Sequence, residues 1–136
     1  MLNPIEHCKN KDEAKKFKLE PYVIEADVYT NKDLLGRGGW NWYTGSSSWY
    51  YKAGIEYLLG LKVEEGYIKF EPCIPKDWKE YSIRYRYKNS IYNIKVKNEK
   101  GKNTGVEKMF LNGQEIKEKQ VVLKDDGGIY EIDVIM

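Results

Sequence analysis

From Tyr81 to Tyr87 the chain alternates strictly, with Tyr81, Ile83, Tyr85 and Tyr87 against Ser82, Arg84 and Arg86. After Lys88-Asn89-Ser90 it alternates again, Tyr92, Ile94 and Val96 against Asn93, Lys95 and Lys97. A period of two places the apolar residues of a strand on one face. The two runs therefore predict an antiparallel hairpin with one wet and one dry face. An isolated hairpin is marginal in water, so more elements must cover the dry face. Tyr67-Ile68-Lys69-Phe70 reads as a short strand whose continuation Pro72 and Pro75 restrict. Asn112-Gly113, between Met109–Leu111 and Gln114–Ile116, is a strong hairpin signal. Val121–Leu123, the turn Asp125-Asp126-Gly127-Gly128, and Tyr130, Ile132 and Val134 predict a closing hairpin. The second half thus reads as about six strands.

Before Val63 the periodicity is different. Asn10 to Lys18 predicts a short charged helix, with Asn10 as its cap and Asp12 and Glu13 suited to its first turn. Pro21 interrupts it, and Tyr22 to Tyr29 can form a second, more apolar segment. Asn31 to Gly39 has loop composition. From Ser46 onward Trp49, Tyr50, Ala53, Tyr57, Leu58 and Leu61 recur at three- and four-residue steps, an amphipathic helix that Gly60 can terminate. The expectation is an α+β chain, helices first and then about six strands.

Composition narrows the partners. With 23 basic and 21 acidic residues the net charge is +2, too weak a field to favour nucleic acid or an anionic membrane. No apolar run approaches the length of a membrane span. The first residues lack the charged-then-apolar order of a secretory signal. Cys8 and Cys73 have no metal-like spacing and read as ordinary thiols, which makes the cytoplasm the expected compartment.

The chemistry concentrates in Gly36-Arg37-Gly38-Gly39-Trp40-Asn41-Trp42-Tyr43-Thr44-Gly45-Ser46-Ser47-Ser48-Trp49. Glycine allows backbone to approach a ligand closely. Small hydroxyl residues at a helix start leave outward N–H groups that favour an anion. Tryptophan offers a flat apolar face suited to a sugar ring or to a core. Thr44, Gly45 and Ser46 can hold phosphate, or serve only as a helix cap. Trp40 and Trp42 can line a sugar or pack. Arg37 can pair with phosphate or carboxylate, or form a surface ion pair. Glu25 and Asp27 can bond sugar hydroxyls, or act in capping or as a buried pair. His7, the one histidine, reads as a surface residue, and the strand tyrosines read as sheet core.

These residues also carry a resemblance. Glu20-Pro21-Tyr22-Val23-Ile24, Ala26-Asp27-Val28-Tyr29, Gly36 to Ser48, Ala53-Gly54-Ile55-Glu56, Leu59-Gly60-Leu61, Glu71-Pro72-Cys73-Ile74-Pro75, Asp77-Trp78 and Tyr85-Arg86-Tyr87 resemble the C-terminal end of the inverting glycoside phosphorylases of glycoside hydrolase family 94. The Trp-rich version is most similar to the β-1,2-glucan members. The resemblance implies that residues 1–62 are a helical segment that closes an (α/α)-barrel catalytic domain and that 63–136 form a small antiparallel β-sandwich-like C-terminal domain. It further implies inorganic phosphate and a β-linked glucose oligosaccharide as substrates, with no cofactor and no metal. Thr44 and Gly45 would then contact phosphate. The family's general acid and the Arg and His of its phosphate site lie upstream of the matched region, so this chain carries no catalytic residue and is expected to be inactive alone. Other readings are a free-standing carbohydrate-binding module, or an assembly piece that self-associates or docks on a separately encoded barrel.

Overall fold

A computed structural model describes residues 3–20, 23–41 and 44–136. It divides into two compact units, Met1–Tyr51 and Lys52–Met136.

In the first unit, α1 (Pro4–His7) starts with Asn3 as cap and Pro4 as its first residue, a combination that preorganises a helix start. In α2 (Lys11–Phe17) the Asn10 side chain accepts from the Asp12 and Glu13 N–H groups, and Lys18 ends the helix in a left-handed conformation. Phe17 is the buried anchor of this unit. Residues 23–29 are not helical. Val28 instead bridges Gly38 in an antiparallel sense. The ladder around the bridge runs from Ala26 N–H to the Trp40 carbonyl (2.6 Å), Gly39 N–H to Asp27, Tyr29 N–H to Arg37 and Gly36 N–H to Tyr29. Helix α3 (Thr44–Ala53) begins at Thr44.

The second unit begins in the last residues of α3 and continues into a π-helical turn at Gly54–Leu58, closed by the Leu59 N–H donating to the Gly54 carbonyl. The helical spacing that runs through Leu61 is therefore cut short. Gly60 adopts φ +75°, and a Cβ there would lie 2.2 Å from the Pro72 nitrogen, so only glycine fits between the turn and residues 71–72.

Eight strands follow: β1 (Leu61–Glu64), β2 (Tyr67–Phe70), β3 (Glu80–Tyr87), β4 (Ser90–Lys97), β5 (Lys108–Leu111), β6 (Gln114–Glu115), β7 (Gln120–Val122) and β8 (Ile129–Ile135). Three tight hairpins close on left-handed residues: Glu65-Gly66, Lys88, and Asn112-Gly113. The sheets are β1-β2-β7 and β3-β4-β8-β5-β6. They share one core, in which Ile68, Tyr92, Val96, Met109 and Val134 are fully buried, so the α+β reading with a β-sandwich holds.

The expected closing hairpin does not form. Strand β7 joins β2 in one sheet, while β8 enters the other, parallel to β4 and antiparallel to β5. The turn between them is held by β4 instead. The Ser90 hydroxyl accepts from the Asp126 and Gly127 N–H groups, and the Tyr92 hydroxyl accepts from Lys124 N–H at 2.7 Å. Those bonds send the chain across the sandwich.

Candidate functional site

The glycine-rich run is built into the 26–40 ladder, and its close approaches are internal. A Cβ at Gly36 would lie 2.5 Å from Lys16 Cε, one at Gly38 2.5 Å from Leu19 Cδ1, and one at Gly39 1.7 Å from Asp27 Oδ1. Each glycine gives way to a side chain of the same unit. Asp27 is thereby pressed against the backbone that leads into Trp40, whose ring is 62% exposed.

Arg37 is exposed, and its side chain borders a cleft of about 200 Å³ together with Lys16, Lys18 and Asp33. Three cations against one carboxylate make that cleft electropositive. Glu25 lies elsewhere. Its side chain is wholly shielded, and neither carboxylate oxygen has a hydrogen-bond partner among the described residues. Oε1 is 3.6 Å from His7 Nε2, an ion-pair distance but longer than a hydrogen bond. A buried carboxylate with so little compensation is costly. It marks either a strained residue or one that meets a donor in a larger assembly.

His7 is not a surface residue. It is half-buried, with its ring stacked on Phe17 at 4.1 Å and 3°. It also borders a cleft of about 290 Å³ with Glu13, Lys16, Tyr29 and Thr30. The Asn3-Pro4 helix start was the one local signal that could have brought His7 inward. Nothing local announces Glu25, eighteen positions away, as its neighbour.

Thr44, Gly45 and Ser46 form the beginning of α3, where backbone N–H groups lack intrahelical partners. Trp42 lies outside the described residues. Glu25, Arg37 and Trp40 share no single cleft among the described residues; Glu25 faces His7, Arg37 the cationic cleft, and Trp40 solvent. The β3 tyrosines are half-buried and Tyr92 of β4 is fully buried, and the Tyr81 hydroxyl donates to the Leu59 carbonyl at 2.6 Å. Burial pushes the Tyr81 phenol well above its ordinary pKa. On α3 and the π turn, Trp49 is 74% and Tyr57 65% exposed. No helix among the described residues is long and apolar enough to cross a membrane.

Residues 1–60 match the catalytic domain of the glycosyl hydrolase 94 superfamily, and residues 61–107 match the C-terminal domain of glycosyl hydrolase family 65. A cyclic beta-(1,2)-glucan synthase of Rhizobium meliloti (strain 1021) is 41% identical over 96 residues, covering 71% of this chain and 3% of that protein. Solabiose phosphorylase of Paenibacillus borealis is 29% identical over 119 residues, 86% of this chain and 15% of the relative. N,N'-diacetylchitobiose phosphorylase of Vibrio furnissii is 31% identical over 98 residues, 71% of this chain and 12% of the relative. The chain thus spans only a small fraction of the curated relatives it matches.

Proposed function

Since this chain carries a glycosyl hydrolase 94 segment followed by a family 65 C-terminal segment, we propose that it is the C-terminal part of a glycoside phosphorylase or β-glucan-processing glycosyltransferase. Residues 1–62 would complete the catalytic barrel and its phosphate side, and residues 63–136 would form a structural β-domain. The observation that carries the reading is the start of α3 at Thr44-Gly45-Ser46, directly after the ladder that fixes Gly36–Trp40. The N–H groups and dipole of a helix start favour an anion, and inorganic phosphate is the anion a phosphorylase uses.

In an inverting phosphorolysis an acid protonates the leaving glycosidic oxygen while phosphate attacks the anomeric carbon from the opposite face. Thr44 would donate its hydroxyl, and Gly45 and Ser46 their N–H groups, to the attacking phosphate. Arg37 adds positive charge to the same unit. Trp40 and Trp42 offer faces for the β-linked glucose unit, and Glu25 a carboxylate for a sugar hydroxyl once the site is complete. The acid belongs to the remainder of the barrel, so these 136 residues do not turn over sugar by themselves. Neither Cys8 nor Cys73 forms a disulfide, which suits a reducing compartment, and we propose the cytoplasm as the place of the reaction.

The test is made in a full-length relative, at the threonine that aligns with Thr44. Its change to alanine removes a hydrogen bond to a charged group, about 1.5–3 kcal/mol, so the phosphate-dependent rate should fall roughly ten- to hundredfold. Unchanged rate and unchanged phosphate affinity would leave the turn a helix cap and nothing more. The isolated chain, incubated with phosphate and cellobiose, laminaribiose or sophorose, should release no glucose 1-phosphate.

A further inference from the structure

Strand β3 ends the larger sheet, and β4 is its one strand neighbour among the described residues. In an antiparallel pair only alternate residues exchange backbone bonds with the neighbour. The phase is fixed here by Asn98 N–H, which donates to the Lys79 carbonyl at 2.7 Å one step beyond the Glu80–Lys97 pair. On the far side of β4, Ile91 N–H donates to Gly128 and the Lys97 carbonyl accepts from Met136 N–H. Tyr81, Ile83, Tyr85 and Tyr87 therefore bond to β4. The backbone N–H and C=O groups of Glu80, Ser82, Arg84 and Arg86 point away from it, towards the open edge.

We propose that this edge pairs with the same edge of a second copy of the chain, antiparallel, about a two-fold axis at Ile83. The sequence is complementary to itself in that register. Glu80 falls opposite Arg86 of the second copy, and Ser82 opposite Arg84, and these are the residues whose backbone groups face outward. On the other face Tyr81 meets Tyr85 and Ile83 meets Ile83, as closely spaced non-hydrogen-bonded pairs. Tyr81, Ile83 and Tyr85 are only half-buried in one chain, so pairing extends the shared core. A register centred on Arg84 sets Arg84 opposite itself, and one centred on Ser82 keeps Glu80 opposite Arg84 but leaves Arg86 opposite Trp78, outside the strand. Glu80 already contacts Lys95 at 2.9 Å, and its second oxygen remains for Arg86. A long edge strand is a hazard that proteins usually blunt with like charges; this one carries a charge pattern matched to its own reverse.

The test uses the full chain in light scattering and sedimentation. A dimer is expected at hundreds of micromolar, weakening as salt rises. Glu80→Arg and Arg86→Glu, each alone, set like charges opposite twice per dimer and should weaken it roughly tenfold or more. Combined in one chain, the two changes restore opposite pairs and should restore dimerisation. Ser82→Pro removes an N–H that points away from β4 and has no backbone partner among the described residues, so it should yield a folded monomer; if that variant does not fold, the charge exchange decides alone. A chain monomeric at these concentrations, its edge left to some other strand, overturns the proposal. So does a dimer indifferent to the charge exchange, or one abolished by Trp49→Gln.

Discussion

Replacing Glu25 with methionine removes a carboxylate whose side chain is fully shielded and whose oxygens have no hydrogen-bond partner among the described residues. The opposing terms can be set out. At 3.6 Å, with an effective dielectric constant of about 20, two opposite unit charges attract by about 4–5 kcal/mol. Burying the two ions costs several kcal/mol each, and no hydrogen bond to Glu25 offsets that cost. A methionine of similar length refills the space without the desolvation. Glu25→Met is therefore expected to be neutral or mildly stabilising, because the imidazole it leaves behind can be buried uncharged, whereas a carboxylate without donors is costly to bury. His7→Phe is the converse. It keeps an aromatic ring against Phe17 but leaves Glu25 as an uncompensated buried charge, and should cost about 3–5 kcal/mol. The double variant should recover most of that loss, because the stranded charge is gone. Urea unfolding gives the energies, and amide exchange over residues 3–20 and 23–41 confirms that the affected unit is the one observed. Glu25→Met losing more than about 1 kcal/mol, or His7→Phe costing nothing, would refute the reasoning. If the stabilised variant also impairs a full-length enzyme carrying it, the carboxylate is retained for the site and not for the fold.

Three further outcomes are expected. Gly60→Ala must fit a Cβ 2.2 Å from the Pro72 nitrogen at φ +75°, so it should lose about 3 kcal/mol or more in denaturant unfolding. Glu107, held down to about 2 by hydrogen bonds from Lys100 and then Lys102, and Asp126, lowered by the Tyr130 hydroxyl and the Gly128 N–H, bind protons less readily folded than unfolded. Their stabilisation is present above the ordinary carboxylate pKa of about 4 and is lost as pH falls towards 2; Glu107→Gln and Asp126→Asn should flatten that acid limb in pH-dependent melting. Trp49→Gln together with Tyr57→Gln should lower the binding of a hydrophobic dye, since these two rings are largely exposed.

Where a local rule decides the structure, the sequence is a sufficient guide. The Asn10 cap, the Asn112-Gly113 turn and the alternation of β3 and β4 each depend on a few adjacent residues, and each forms where it is expected. Strand β1 is hidden because the helical steps continue through Leu58 to Leu61, and only the contact of Gly60 with residues 71–72 breaks them. Strands β7 and β8 look like a hairpin because they are neighbours in the chain. Their separation follows from Ser90 and Tyr92, some thirty positions earlier, holding the turn between them. The candidate site divides in the same way. Its glycines are recognisable as points of close approach, but what approaches is supplied by tertiary structure: Lys16, Leu19 and Asp27 rather than a ligand. That changes how the motif works. Gly38 and Gly39 let α2, the 26–29 segment and the Trp40 backbone pack within one unit, and the packing fixes the chain as far as Trp40. A side chain at Gly39 would displace the Asp27 carboxylate, which is exposed and can move. Gly39→Ala should therefore leave the fold nearly intact and act, in a complete enzyme, on the position of the phosphate-side turn.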